Sequence, residues 1–230
     1  MKKLGLLLFN ATLALYLSGC LSNAKLSIST SETKTDTSTS STPLSTLTLT
    51  NVPTTATSAT VFAPAPTVTS SDITFTGVIT LTAYADASCT TPSAATNGGI
   101  SANTQSATAG VAGFTAVNYV TAETIYIKAS APGHQSVCAG ISTVVGHGSA
   151  NSIQFTTLPS GSTAGTPFPT QPVVGLYDSY NNPVTTGPAS SLPVTLTSYS
   201  DSSCITPSGA IMGTTVVNMS SGISIFSGLN

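Results

Sequence analysis

The decapeptide Tyr84–Ser93, YADASCTTPS, returns at 199–208 as YSDSSCITPS, with a cysteine in the same slot. The residues around it repeat as well. Asn51-Val52-Pro53 answers Thr157-Leu158-Pro159, and Phe62, Pro66 and Val68 answer Phe168, Pro172 and Val174, all at a separation of 106. Ile79–Thr82 answers Val194–Thr197 at 115, and the repeated phrase keeps that separation. Gly110, Val111, Phe114, Val117 and Asn118 then answer Gly222, Ile223, Phe226, Leu229 and Asn230 at 112. The separation shifts only between patterned segments, where loops differ in length. The chain therefore reads as a tandem of two homologous units of about 100 residues, spanning 46–146 and 150–230.

The pattern inside the units is that of strands. Thr46–Thr50 alternates with Leu47 and Leu49 on one face, and Thr124–Ala129 alternates again. Ile73, Phe75, Ile79, Leu81 and Ala83 share one parity, which predicts a strand running from about residue 73. Pro64–Pro66, Asn97-Gly98-Gly99 and Pro132-Gly133 punctuate these runs, and no long stretch has a capped helical period. Apolar residues make up 40% of the chain, enough to build cores, and the abundant Thr and Val suit half-buried pleated surfaces. The expected fold class is all-β, as tandem sandwiches.

Ahead of the units lies a targeting segment. Lys2 and Lys3 precede an apolar run from Leu4 to Leu17, too short to span a membrane. It ends in Leu17-Ser18-Gly19-Cys20, which resembles the lipobox of bacterial lipoproteins. The resemblance implies a signal peptide at 1–19 and a lipid on Cys20, which becomes the first mature residue. Several acyl chains, each buried CH₂ adding about 0.8 kcal/mol, anchor a protein without spanning the bilayer. Leu21 stands where an Asp would direct inner-membrane retention in Gram-negative families, so the resemblance implies a cell-envelope protein at the outer membrane, facing outward. Residues 20–45 then form a Ser/Thr-rich tether with little to bury, reaching roughly 25–30 Å as a flexible coil.

The stretch AGTPFPTQPVVGLYDSYNNPVTT at 164–186 resembles the bacterial immunoglobulin-like repeats of large surface and adhesin-type proteins. The matching residues are Asp178 at a strand end and the turn Asn181-Asn182-Pro183-Val184, where an Asn supplies left-handed geometry and Pro fixes re-entry into a strand. The resemblance implies Ig-like modules serving as spacers, adhesive tips or carbohydrate binders, and supplies no catalytic residues. The first unit lacks this hairpin.

The four cysteines divide by unit. With Cys20 assigned to lipid, an exported protein can join Cys89 to Cys138. That bridge closes a loop of about 50 residues, for which the chain-entropy argument gives about 4 kcal/mol. Cys204 matches Cys89, and its partner would fall 112 residues beyond Cys138, so Cys204 is expected to be unpaired. By the same alignment the second unit is expected to be incomplete, lacking its final strands and leaving Val194 and Leu196 uncovered. That points to a fragment of a longer repeat protein or to completion by a strand from another chain.

Charge excludes whole classes of partner. Without the signal peptide the bases are Lys25, Lys34 and Lys128, with no Arg, against seven acids. Such a chain cannot displace counterions from nucleic acid or bind an anionic lipid surface. His134, at a hairpin tip, and His147, in the linker between units, have no neighbouring ligands at metal spacing and are expected to be solvated loop residues. Asp86 and Asp201 are expected to cap their own turns rather than bind calcium, and Tyr84 and Tyr199 to be exposed or edge aromatics beside the bridge. No catalytic residue, metal or cofactor is expected. The function expected is non-enzymatic display of Ig-like modules, as a spacer or in adhesion to a surface protein or glycan. The alternative is a carbohydrate-binding or enzyme-accessory module, for which aromatic residues are few and Trp is absent.

Overall fold

The computed structural model describes residues 44–95 and 99–230. The signal segment, Cys20 and the tether to residue 43 lie outside the described residues. The chain is all-β. Its first half holds β1 (Ser45–Thr50), β2 (Thr55–Thr57), β3 (Thr67–Ser70), β4 (Val78–Tyr84), β5 (Thr104–Ser106), β6 (Val111–Gly113), β7 (Thr124–Ser130), β8 (His134–Gln135), β9 (Val137–Cys138) and β10 (Thr143–Gly146). The second half holds β11 (Ala150–Thr157), β12 (Val173–Asp178), β13 (Pro193–Thr195), β14 (Val216–Asn218) and β15 (Ile223–Ile225), with one 3₁₀ turn at Pro188–Ser191.

In the first half two sheets enclose one core. One runs β6-β3-β1-β8; the other runs β2-β10-β7-β4-β5, with β9 also on β7. Strict alternation in β4 and β7 sends Ile79, Leu81, Ala83, Ile125, Ile127 and Ala129 inward, where they meet Val68, Phe114 and Tyr119. The strand expected from residue 73 begins only at Val78. Ile73 is 75% exposed, because Asp72 turns the chain, its carboxylate accepting from the Thr74 amide at 2.9 Å. Local side chain–backbone bonding overrides parity here.

The second half reproduces part of this plan in the same register. Leu49 faces Val68 as Phe155 faces Val174; Val68 faces Ala112 as Val174 faces Ser224; Ile79 faces Gln105 as Val194 faces Val217. Loop bonds recur too. Phe62 N–H donates to Val117 O at 2.8 Å, and Phe168 N–H to Leu229 O at 2.9 Å. Ala109-Gly110 and Ser221-Gly222 both form two-residue turns with positive φ at each position, the primed geometry that suits strand twist. Glycine is required there: a Cβ on Gly222 would lie 1.9 Å from Val184 O.

Among the described residues, no strand of the second half answers β7, β8, β9 or β10. The consequences are local. Residues 161–163 align with β2, which pairs only with β10; without that partner they form no strand. β13 is three residues long where β4 has seven. Val194 is nonetheless buried and Leu196 half-buried, so the uncovered positions are not the ones expected. They are Ile153 and Phe155 of β11, 55% and 51% exposed, whose counterparts Leu47 and Leu49 lie under the intact first half.

Candidate functional site

Among the described residues, two constellations of polar groups stand out. The first is the repeated phrase, folded twice into the same loop. Asp86 Oδ1 accepts from Ser88 N–H at 2.9 Å and Oδ2 from Thr91 N–H at 2.6 Å. Asp201 does the same with Ser203 and Thr206, at 2.9 and 2.6 Å. The Thr91 amide above all holds the Asp86 carboxyl below its ordinary range, and the Thr206 amide does so for Asp201. Each carboxylate is directed at its own loop's amides. Each cysteine takes the left-handed conformation, with φ 51° at Cys89 and 53° at Cys204. The loop presents a sulfur. Cys89 is bonded to Cys138 with Cα atoms 5.9 Å apart; Cys204 is a free, exposed thiol. Tyr84 and Tyr199 each bridge to the proline that ends the phrase, Pro92 and Pro207.

The second constellation joins the two halves. At the end of β12, Asp178 is 2% exposed, and its Oδ1 accepts from the amides of Tyr180 at 2.8 Å and Asn182 at 2.9 Å. Its Oδ2 accepts from Gly148 N–H at 2.7 Å and Asn182 Nδ2 at 2.9 Å. Burial pushes this carboxyl up, but the donors from Asn182, Gly148 and Tyr180 together hold it below the ordinary range. Asn181 supplies the left-handed turn residue at φ 63°. Asn182 then reaches into the first half. Its Oδ1 accepts from Ala122 N–H at 2.8 Å, and its Nδ2 donates to Val120 O at 2.7 Å and approaches Ser58 Oγ at 3.0 Å. A buried amide with these partners fixes orientation, because any displacement strands polar groups away from water.

The histidines differ from expectation. His134 is half-buried in β8, its Nε2 2.7 Å from Ser70 Oγ and its ring 4.3 Å from that of Phe75. His147 is half-buried and belongs to the joint. Its Nε2 accepts from the Thr186 amide at 3.3 Å and lies 2.8 Å from Thr186 Oγ1, which leaves Nδ1 to donate to Gly148 O at 2.8 Å. Neither is a solvated loop residue, because each sits where a second chain segment crosses its own. Tyr119 is fully buried, its hydroxyl bonded to the Glu123 carboxylate and 2.9 Å from Ser93 Oγ. Burial and that carboxylate push the phenol well above its usual value.

No family profile and no curated protein matches the sequence. Among solved structures, the surface layer protein SbsC, domains 4–9, is similar at a TM-score of 0.24 and 20% identity. The match covers 69% of this chain, which spans a quarter of that one, 25%. A likeness this low carries no argument.

Sequence reasoning located the Asp–Cys loops and the Asn turn, but not the reach of Asn182 across the joint. A signal was available. Asp178 and Asp72 stand 106 apart and make the same bond to the amide two residues on. The second half then inserts extra loop, so whatever the insertion carries is new to that unit.

Proposed function

We propose that the chain is a non-enzymatic, lipid-anchored spacer of a bacterial cell envelope. Cys20 carries the lipid, residues 21–45 lift the folded part off the membrane, and Ig-like units at 46–146 and 150–230 stand in series. The reading places the protein at the outer membrane, facing outward, with loops available to a surface protein or glycan. The observation that carries it is the Asn182–Asp178 joint. A spacer must transmit orientation from one module to the next, and here a buried amide bonded to Ser58, Val120 and Ala122 does so where a flexible linker would not. The chemistry elsewhere agrees: the carboxylates of both repeated loops are turned onto backbone amides.

Small-angle scattering of the mature chain, with Cys20 replaced by Ser, tests the joint. The expected result is one narrow distribution of shapes for 44–230, broadened by Asn182→Ala. A broad distribution in the unsubstituted chain would sink the spacer reading. The anchor is tested separately in cells: Cys20→Ser should move the protein from the detergent phase to the aqueous one, and protease added to intact cells should release residues beyond 45.

A further inference from the structure

The outer face of the first half carries its polar side chains in rows. In β4 and β7 every second residue is buried, which leaves the others on the outside. Pairing sets these in register: Tyr84 opposite Tyr126, Thr82 opposite Lys128, and Thr80 opposite Ser130. Neighbours within a row are about 5 Å apart, and successive rows about 6.5–7 Å. The Lys128 ammonium stands 5.4 Å from the centroid of the Tyr84 ring. One flank of the face is fixed, because Cys138 lies opposite Lys128 on β9 and is bonded to Cys89. Lys128 is half-buried, and among the described residues it is the only Lys or Arg, against five acids. It forms no ion pair with any of them there. The acids that flank these strands are engaged elsewhere: Glu123 accepts from the Tyr119 hydroxyl, and Asp86 from the amides of its own loop. An ammonium left to a tyrosine ring alone keeps its attraction for a carboxylate.

We propose that this face binds an acidic sugar, a hexuronic acid residue at the end of a glycan. The sugar ring lays its apolar C–H face on Tyr126, and its carboxylate reaches the Lys128 ammonium one row on. That row spacing matches the reach from a ring centre through its carboxylate to a bonded nitrogen. The next sugar then meets the hydroxyls of Thr80 and Ser130. Two observations choose this class of ligand. An aromatic row beside a cation asks for a molecule that is apolar on one face and anionic at one edge. One cation among five acids accepts a single carboxylate and repels a polyanion. The site lies apart from both the anchor and the joint, so it stands or falls separately from the spacer reading.

The test is an NMR titration of the mature chain, with Cys20 replaced by Ser, against methyl β-glucuronide, methyl β-glucoside and a blocked aspartyl peptide. The glucuronide should shift the Thr82 and Lys128 amides and the Tyr126 ring saturably, while the signals of Phe114, inside the core, stay in place. The glucoside should bind about fivefold more weakly, the scale of a solvent-facing ion pair. That difference should shrink in about 0.5 M salt. Lys128→Gln should erase the preference for the acid. Tyr126→Thr, which suits a strand, should weaken both sugars roughly three- to tenfold; if it fails to fold, Lys128→Gln still decides. Absence of saturable shifts, equal binding of glucuronide and glucoside, or an unchanged preference in Lys128→Gln would each overturn the proposal. So would an aspartyl peptide that binds as tightly as the glucuronide, which would make the face a protein contact.

Discussion

The two halves follow one plan with one register and differ in what covers it. In the first, Leu47 is 5% exposed; its counterpart Ile153 is 55% exposed. The backbone around both is the same, down to the pairing of Leu49 with Val68 and Phe155 with Val174. The difference teaches that register and turn geometry are set by local residues, whereas strand length and burial depend on the neighbour. β4 continues for seven residues because β7 holds its outer edge; β13 stops after three. Residues 161–163 stay out of a strand because β2-like pairing needs a β10.

The largest expected effect comes from making the first half resemble the second. Replacing Cys89 and Cys138 by Ala opens a loop whose ends are 49 residues apart, and should cost about 4 kcal/mol in denaturant unfolding. Cys204→Ala should change stability by no more than about 0.5 kcal/mol. Equal costs would mean that the second loop has a partner in solution.

Packing gives the next contrast. Leu47→Ala removes a buried side chain and should cost about 3 kcal/mol. Ile153→Ala, at the matching position, should stay within about 0.5 kcal/mol. If Ile153→Ala is as costly as Leu47→Ala, the face of β11 is covered in solution and the contrast between the halves disappears.

Much of this was legible in the sequence, and the reason is physical. Alternation in β4 and β7 and the separations of 106, 115 and 112 reflect period-two burial and loop insertion, both written in residue order. Three features were not. Ile73 shares the parity of Ile79 but is lifted out by the Asp72 turn, a local bond that parity cannot register. Val194 is sheltered by its own half, packed with Val174, Leu176 and Met219, so the loss of cover falls on β11. Asn182 looks like a turn residue because its neighbour Asn181 is one; its contacts with Ser58 and Val120 join residues 124 and 62 apart, and no short window contains both ends.

The joint gives the third prediction. Asn182→Ala leaves Val120 O, the Ala122 amide and one lone pair of Asp178 Oδ2 without their partner, and should cost about 1–3 kcal/mol. Hydrogen exchange at the Ala122 amide reads this directly: exchange should speed markedly in the variant, while the Val68 amide, inside the first core, keeps its protection. No change at Ala122 would show that Asn182 does not hold the halves together.

The smallest effect is a pH dependence of the same joint, and its sign follows from Asp178. The amide donors of Asn182, Gly148 and Tyr180 outweigh burial, so the folded carboxyl titrates below its ordinary value of 3.8. A group depressed in the folded state contributes stability that is whole above its unfolded value and is lost as pH falls through the folded one. The joint should therefore be unchanged from neutral pH down to about 5 and loosen below about 4, read as faster exchange at Ala122 once the intrinsic acid dependence is removed. Asp72, Asp86 and Asp201 are depressed as well, so acid also perturbs loops remote from the joint. Asp178→Asn separates the two contributions. Its one oxygen can serve the Gly148 side or the Tyr180 and Asn182 amides but not both, so Ala122 exchange should be faster at every pH; with no charge to lose, that exchange should become insensitive to pH in this window while the loop signals of Asp86 and Asp201 still titrate. A joint that still loosens below pH 4 in that variant would move the acid sensitivity away from Asp178 and leave Asn182 as the contact that orients the two halves.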